Sequence, residues 1–460
     1  MSRRQFVRES KYRHVFGTAA KEVFTGIRVN EGSTDGRVCA VNPKFLAVST
    51  TPQGGGAFLI LKITDVGRID INSPQVRGHK GAVLDLAWNP FNDNIIASGD
   101  TNGMVCIWNI PDEGLTEDLE EPLIVFDHHQ KKISMMLWHP TADNILLTSA
   151  WDNTITVMNL ETGSPVSVVS LPDTPYCVNW NYNGSQFIAS CKDKKFRIFD
   201  ARSGEVQKEW AGHEGSKPQM VAFTQYGIIS TGFSKLSARQ YALWNEKTGE
   251  KVLMEDIDQS NGVNQIVYDR DTNIFFLSAK GDAIIRYFEV VENEIFYLSN
   301  YSSKPQTAIA SMPKWALNVN SCEVMRFYRV EKSMKLFNIV PTAMTVPRKS
   351  ETFQKDIFPD TPSDEPALSA AEWASGTDKD PILVCLESGF KPKERTVRVG
   401  TKINKMAAVA KSQTSKSNAS SEGGVSSSEL EALKEEILTL TVTVKANEAK
   451  IAALEAKIGS

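Results

Sequence analysis

The chain has 460 residues, 41% hydrophobic and 23% charged, with a net charge of −4, more than one ordinary core supports unless burial is spread over a ring of small units. That composition excludes wholesale disorder and a collagen-like or mucin-like chain. Apolar stretches such as Ala57 to Leu61 fall far short of the ~20 residues that cross a bilayer, and Met1-Ser-Arg-Arg-Gln leads into charge, so neither secretion nor transmembrane insertion is expected.

Residues 1 to 28 open the chain with Arg3, Arg4, Arg8, Lys11, Arg13, Lys21 and Arg28 against Glu9 and Glu22, a local +5 on a first 390 residues that sum to −8. A patch of one sign steers association with an oppositely charged partner; a solvated surface is the alternative. The acidic bulk disfavours specific nucleic-acid binding. Gly54-Gly55-Gly56 reads as a turn between strands, because neither a Walker lysine nor a G-x-G-x-x-G helix start accompanies it.

Self-similarity then dominates the chain. Apolar runs end on a hydrophobic residue followed by a polar one at Trp108-Asn109, Met158-Asn159, Phe199-Asp200, Trp244-Asn245 and Phe288-Glu289, with weaker anchors at Leu61 and Phe327. The separations of 47, 50, 41, 45, 44 and 39 residues are the period of four-stranded blades, which predicts an all-β, seven-bladed propeller. Asn102, Asp152, Asp193 and Asp282 stand six positions before their anchors, where a tight turn wants such residues. Gly78-His79, His128-His129 and Gly212-His213 open three of the units. Cys39, Cys106, Cys177, Cys191, Cys322 and Cys385 lack any C-x-x-C pair and read as buried hydrophobes in a reducing compartment.

Residues 391–426 lose the periodicity and carry a net +6, with Lys391, Lys393, Arg395, Arg398, Lys402 and Lys405 among their cations. This is the composition of a solvated tether, which could also touch an acidic filament, anionic lipid or RNA. Residues 427–460 then place Leu430, Leu433, Ile437, Leu440, Val444, Asn447, Ile451, Leu454 and Ile458 at strict 3-4 spacing, a coiled-coil seam that one helix cannot hide alone. The pattern leans to a parallel homotrimer, with a dimer or an antiparallel tetramer open. No catalytic constellation, metal-ligand spacing or cofactor motif is present, and at least three of the six histidines fall at blade-opening positions, so an enzyme is not expected.

Two resemblances follow. His79, Ser98, Asn102 and Trp108 resemble the hydrogen-bonded histidine, hydroxyl, turn-acid and tryptophan set of WD-repeat blades, with Asn102 replacing the usual Asp. Ser10-Lys-Tyr-Arg-His-Val-Phe-Gly17, Ile27-Arg28-Val29, Cys39 to Val48, Gly232 to Gln240, Cys322 to Tyr328, Val346 to Ser350, Phe358 to Thr361 and Glu372 to Gly376 closely resemble blocks of the coronin family. The resemblance implies a cytoplasmic, cytoskeletal and cortical protein that binds filamentous actin through its propeller. It further implies oligomerisation through a C-terminal coil, filament bundling, and regulation of the nucleator built on actin-related proteins. Arg28 falls on the family's actin contact, and Val346 to Glu372 on a segment that packs on the propeller underside. Lys235, Ala238 and Trp315 depart from the family pattern. The residues alone leave a second class open, a WD-repeat scaffold for signalling or membrane-trafficking complexes.

Overall fold

A computed structural model describes residues 10–31, 36–50, 55–349 and 352–388. The expected tether, 391–426, and coil, 427–460, lie outside the described residues. Six four-stranded antiparallel sheets and one six-stranded sheet form the blades of a seven-bladed propeller. Blade one comprises Cys39–Val41, Phe45–Thr50, Gly56–Lys62 and Gln75–His79; blade two, Val83–Trp88, Ile95–Asp100, Val105–Asn109 and Ile124–Phe126. Blades three to six follow the same order and start at Ile133, Pro175, Met220 and Asn264.

Alternation decides which strands lie where. The inner strands are buried almost throughout, whereas outer strands such as Val206–Ala211 alternate exposed and half-buried residues. The core is therefore laminar: Leu147, Val157, Val178 and Phe187 pack between blades three and four, and Phe196, Val221, Ile228 and Trp244 between blades four and five. A fully buried Leu, Val or Phe contributes about 1.5–3 kcal/mol, so stability accrues interface by interface. Tryptophans at the ends of the first strands staple blades two, three and four each to the one before. The indole N–H groups of Trp88, Trp138 and Trp180 donate to Ala40 O, Ala87 O and Leu137 O at 3.2, 2.9 and 3.3 Å.

Blade seven closes the ring with strands from both parts of the chain. Gln306–Ser311, Glu323–Ser333 and Leu336–Thr345 form its inner part, and Phe16–Ala19 and Phe24–Ile27 add on the outside of Leu336–Thr345. Phe327 consequently lies on the second strand rather than the third, where the anchor was expected; the third strand has no aromatic at its end, and the period had latched onto the nearest one. The N-terminal block is explained by this closure. Tyr12 and Val15 are buried, Tyr287 Oη donates to Val15 O at 2.6 Å, and a Cβ at Gly17 would stand 2.3 Å from the Tyr301 ring.

Beyond the last blade, residues 346–349 and 352–388 cross the lower face, the end bearing the loops between first and second and between third and fourth strands. Ile357 and Phe358 pack with Tyr12, Tyr287 and Phe327. Further on, Ser369 caps the helix Ala370–Ala374 through a capping box with Glu372, which seats the fully buried Trp373 against His139 and Trp180, ring centroids 4.8 and 6.3 Å away. Five cysteines are buried as expected, but Cys385 is exposed, because it follows a short surface strand, Leu383–Val384.

Candidate partner-binding site

The polar interior of the blades accounts for the histidines. Trp108 Nε1 donates to Ser98 Oγ at 2.7 Å, and Ser98 Oγ lies 2.6 Å from His79 Nε2. The acid of this set is Asp100, not Asn102: its Oδ2 sits 3.2 Å from His79 Nδ1, while its Oδ1 accepts from the backbone N–H groups of Asn102 and Met104 at 2.8 and 3.0 Å. A carboxylate two residues earlier reaches the ring that the Asn102 side chain does not. His79 Nδ1 thus faces Asp100 and Nε2 faces Ser98, whose hydroxyl also accepts from Trp108. Burial pushes the Asp100 carboxyl up, and the contacts with His79 and the two N–H groups more than offset it, holding the carboxyl below its ordinary range.

Blade five repeats the arrangement with His213, Ser230 and Trp244 at 2.8 and 2.7 Å. Blade three has His129 between Thr148 and Thr154, beside Asp152, with Met158 in the tryptophan's place. These histidines carry structure. His139, below them, donates from Nε2 to Gly184 O and accepts at Nδ1 from Ala142 N–H; burial holds it at about 3. A Cβ at Gly184 would overlap that ring. No group of His, Cys, Asp and Glu suited to a metal ion occurs among the described residues.

The central channel, about 510 Å³, is lined by inner strands and by Tyr268 and Trp315. Arg37 crosses it to bind the buried Asp85, Nε at 2.9 Å and Nη2 at 2.8 Å, and also donates to Met136 O. Asp85 in turn accepts from Met136 N–H at 2.7 Å. This clasp joins blades one, two and three across the channel. A second cluster, Arg239 with Asp258 and Asp282 at 2.6 and 2.7 Å, ties blade five to blade six. Neither clasp was foreseen from the sequence; an arginine inside or beside an inner-strand run is the signal that could have found them.

The upper face, which carries the loops between second and third strands and those between blades, is not crossed by the extension. Arg28 emerges there. It is exposed and lies at a cavity of about 370 Å³ lined also by Thr50, Asp70, Gln75 and Arg77. The other expected contacts do not join it. Phe16 pairs with Thr345 and Ile27 with Phe337, eight residues or roughly 26 Å apart along one strand at ~3.3 Å per residue, so Lys11 and Arg13 precede the end of blade seven opposite to the one Arg28 follows. Lys11 Nζ donates to Asp356 O at 3.0 Å on the lower side, and Lys21 lies exposed between the two outer strands. Among the described residues, Lys11, Arg13, Lys21 and Arg28 are thus spread along the height of blade seven instead of forming one patch, because the segment runs there as extended strands; Arg3, Arg4 and Arg8 lie outside the described residues.

A seven-bladed ring with these histidine, hydroxyl and tryptophan sets defines a WD-repeat propeller, a class that typically serves as a non-enzymatic protein-interaction scaffold. Residues 72–109, 120–159 and 163–200 match the WD domain, G-beta repeat; residues 339–381 match a type of WD40 repeat; and residues 5–68 match a domain of unknown function, DUF1899. The WD40 domain of Toxoplasma gondii coronin superposes with a TM-score of 0.78 at 26% identity, covering 83% of this chain and 98% of that one. A chain of the mitotic checkpoint complex, at 13% identity and a TM-score of 0.51 over 74% of this chain and 97% of its own, shares the fold alone. The chain matches the coronin architecture, and its propeller is coronin-like. Among the described residues no helix is long and apolar enough to cross a membrane.

Proposed function

We propose that this chain binds actin filaments without catalysis, through the upper face of its propeller, and crosslinks them as an oligomer held by residues 427–460. The observation that carries this reading is Arg28. It is the residue that the coronin resemblance assigns to actin, and it stands exposed on the face left open by the extension. Lys391, Lys393, Arg395, Arg398, Lys402 and Lys405 supply a secondary contact, and the nucleator built on actin-related proteins is a further partner. Cortical cytoskeleton is the location this role implies. Each propeller contributes one weak contact, and joining several on tethers raises avidity by about 100-fold or more. Filament bundling by the full chain, compared with a chain truncated near residue 400, tests the reading. The truncated protein is expected to pellet with filaments and fail to bundle them; equal bundling would contradict the oligomer mechanism.

A further inference from the structure

Between the first two strands of blade six, Asn264–Asp269 and Ile274–Ala279, a lower-face turn holds two carboxylates, Asp269 and Asp271. One ammonium serves them. Lys314, from the matching turn of blade seven, binds Asp269 and gives another hydrogen to Val324 O at 2.9 Å. Asp269 also accepts from Thr272 Oγ1 at 2.7 Å and from the Asp271 N–H at 3.2 Å. Arg270 turns away and lies over the Tyr182 ring of blade four, 3.7 Å from its centroid. The hydrogen-bond partner of the Asp271 side chain is the hydroxyl of Thr361, a buried residue of the extension.

The neighbouring elements bring more acid than base. Glu289, on the third strand of blade six, is buried. Tyr12, also buried, donates to Ile357 O at 3.3 Å; burial and then the charges of Asp269, Glu289, Asp271 and Asp356 push its hydroxyl up. In the extension, Asp356 pairs with Arg348 at 2.7 Å, while Lys355 and Asp360 are exposed. Lys11 donates to the Asp356 carbonyl at 3.0 Å. Burial and then the charge of Asp269 push the Asp271 carboxyl up to about 6, with Lys314, Thr361 and Arg270 acting against them.

We propose that Asp271 makes the extension a proton-set latch: protonation there removes the charge that Lys314 leaves unneutralised and fastens residues 357–361 over blade six. The Thr361 hydroxyl can bond either form, donating to the carboxylate or accepting from the acid, so the contact survives while the repulsion goes. A carboxyl raised in the folded state contributes stability that is present below its ordinary ~3.9 and lost as pH rises through the folded value. The latch is therefore tight in mild acid and loosens as pH rises through about 6. It belongs to the covered face and is independent of Arg28 and of filament binding.

Hydrogen exchange of the full chain, read as protection factors over residues 354–363, tests it. Protection is expected to rise about tenfold from about pH 7.5 to about pH 5, whereas protection of the blade-four core does not rise. The buried histidines lower global stability over that range, so a rise confined to the extension cannot come from them. Asp271→Asn should give a flat profile, as protected at neutral pH as the unaltered chain is in acid. Thr361→Val keeps the carboxyl and removes its donor, and should move the midpoint to higher pH. A flat profile in the unaltered chain, or a rise shared by blade four, would overturn the proposal. Unchanged pH dependence in Asp271→Asn would also overturn it and assign the titration to another acid, such as Glu289.

Discussion

The two faces of this ring are built from the same repeat and put to different uses. On the lower face, the segment after blade seven lays Ile357, Phe358, Leu368 and Trp373 against the blade ends, and His139, Trp180 and Arg202 meet Trp373 in one packed cluster. Among the described residues the upper face has no such cover, and polar groups pair within the blades in sets such as Asp100, His79, Ser98 and Trp108. Burial stabilises one end, and internal hydrogen bonding keeps the other end ordered while open. Stability and contact are thereby separated along the axis of the ring, so substitutions on the two faces should differ in kind.

The largest effect is expected from Trp373→Ala, which removes a fully buried ring and should cost about 3–5 kcal/mol. A fall of several degrees in the thermal midpoint would report it, and a negligible shift would mean that the extension only rests on the propeller. Arg239→Met follows at about 3 kcal/mol, because Asp258 and Asp282 lose a shared partner on the upper side. Denaturant unfolding measures it, and repair by a further Asp282→Asn would tie the loss to the stranded carboxylate. Ser98→Ala should cost about 1–3 kcal/mol by leaving both His79 Nε2 and the Trp108 N–H unpaired. Thr148→Ala should cost less, since Met158 asks nothing of that hydroxyl; the ratio of the two compares a complete blade set with a partial one.

A smaller, graded effect is expected with pH. Burial holds His139 at about 3 and His213 at about 4, below the ordinary ~6.5. A histidine depressed in the folded state contributes stability that is present above its unfolded value and lost as pH falls toward the folded one. The thermal midpoint should therefore decline between about pH 6.5 and about pH 4, and a flat profile would place compensating groups around these rings. Arg28→Asp should change stability least of all, within about 0.5 kcal/mol, as an exposed surface substitution does.

How far the sequence foretold this follows from where side chains repeat. Anchors such as Trp108 and Trp244 end third strands at a regular period, so the blades were legible before any contact was known. Blade seven was only half legible, since its outer strands come from residues 16–27 and long-range closure leaves no local period. The blade set was read correctly in type but misplaced by two residues, because Asp100 and Asn102 suit a turn about equally and only their reach to His79 separates them. Arg28 could be singled out through the resemblance, but its isolation from Lys11 and Arg13 is a matter of strand direction, which charge counting ignores.

The central claim is that the open upper face, through Arg28, is the filament-binding end. Co-sedimentation of the full chain and of Arg28→Asp with actin filaments across a salt series tests it most directly. The account predicts saturable pelleting by the unaltered chain that weakens as salt screens it, and affinity about tenfold lower for the variant at the same melting temperature. Equal affinity of the two proteins, or no pelleting at low salt, would contradict it.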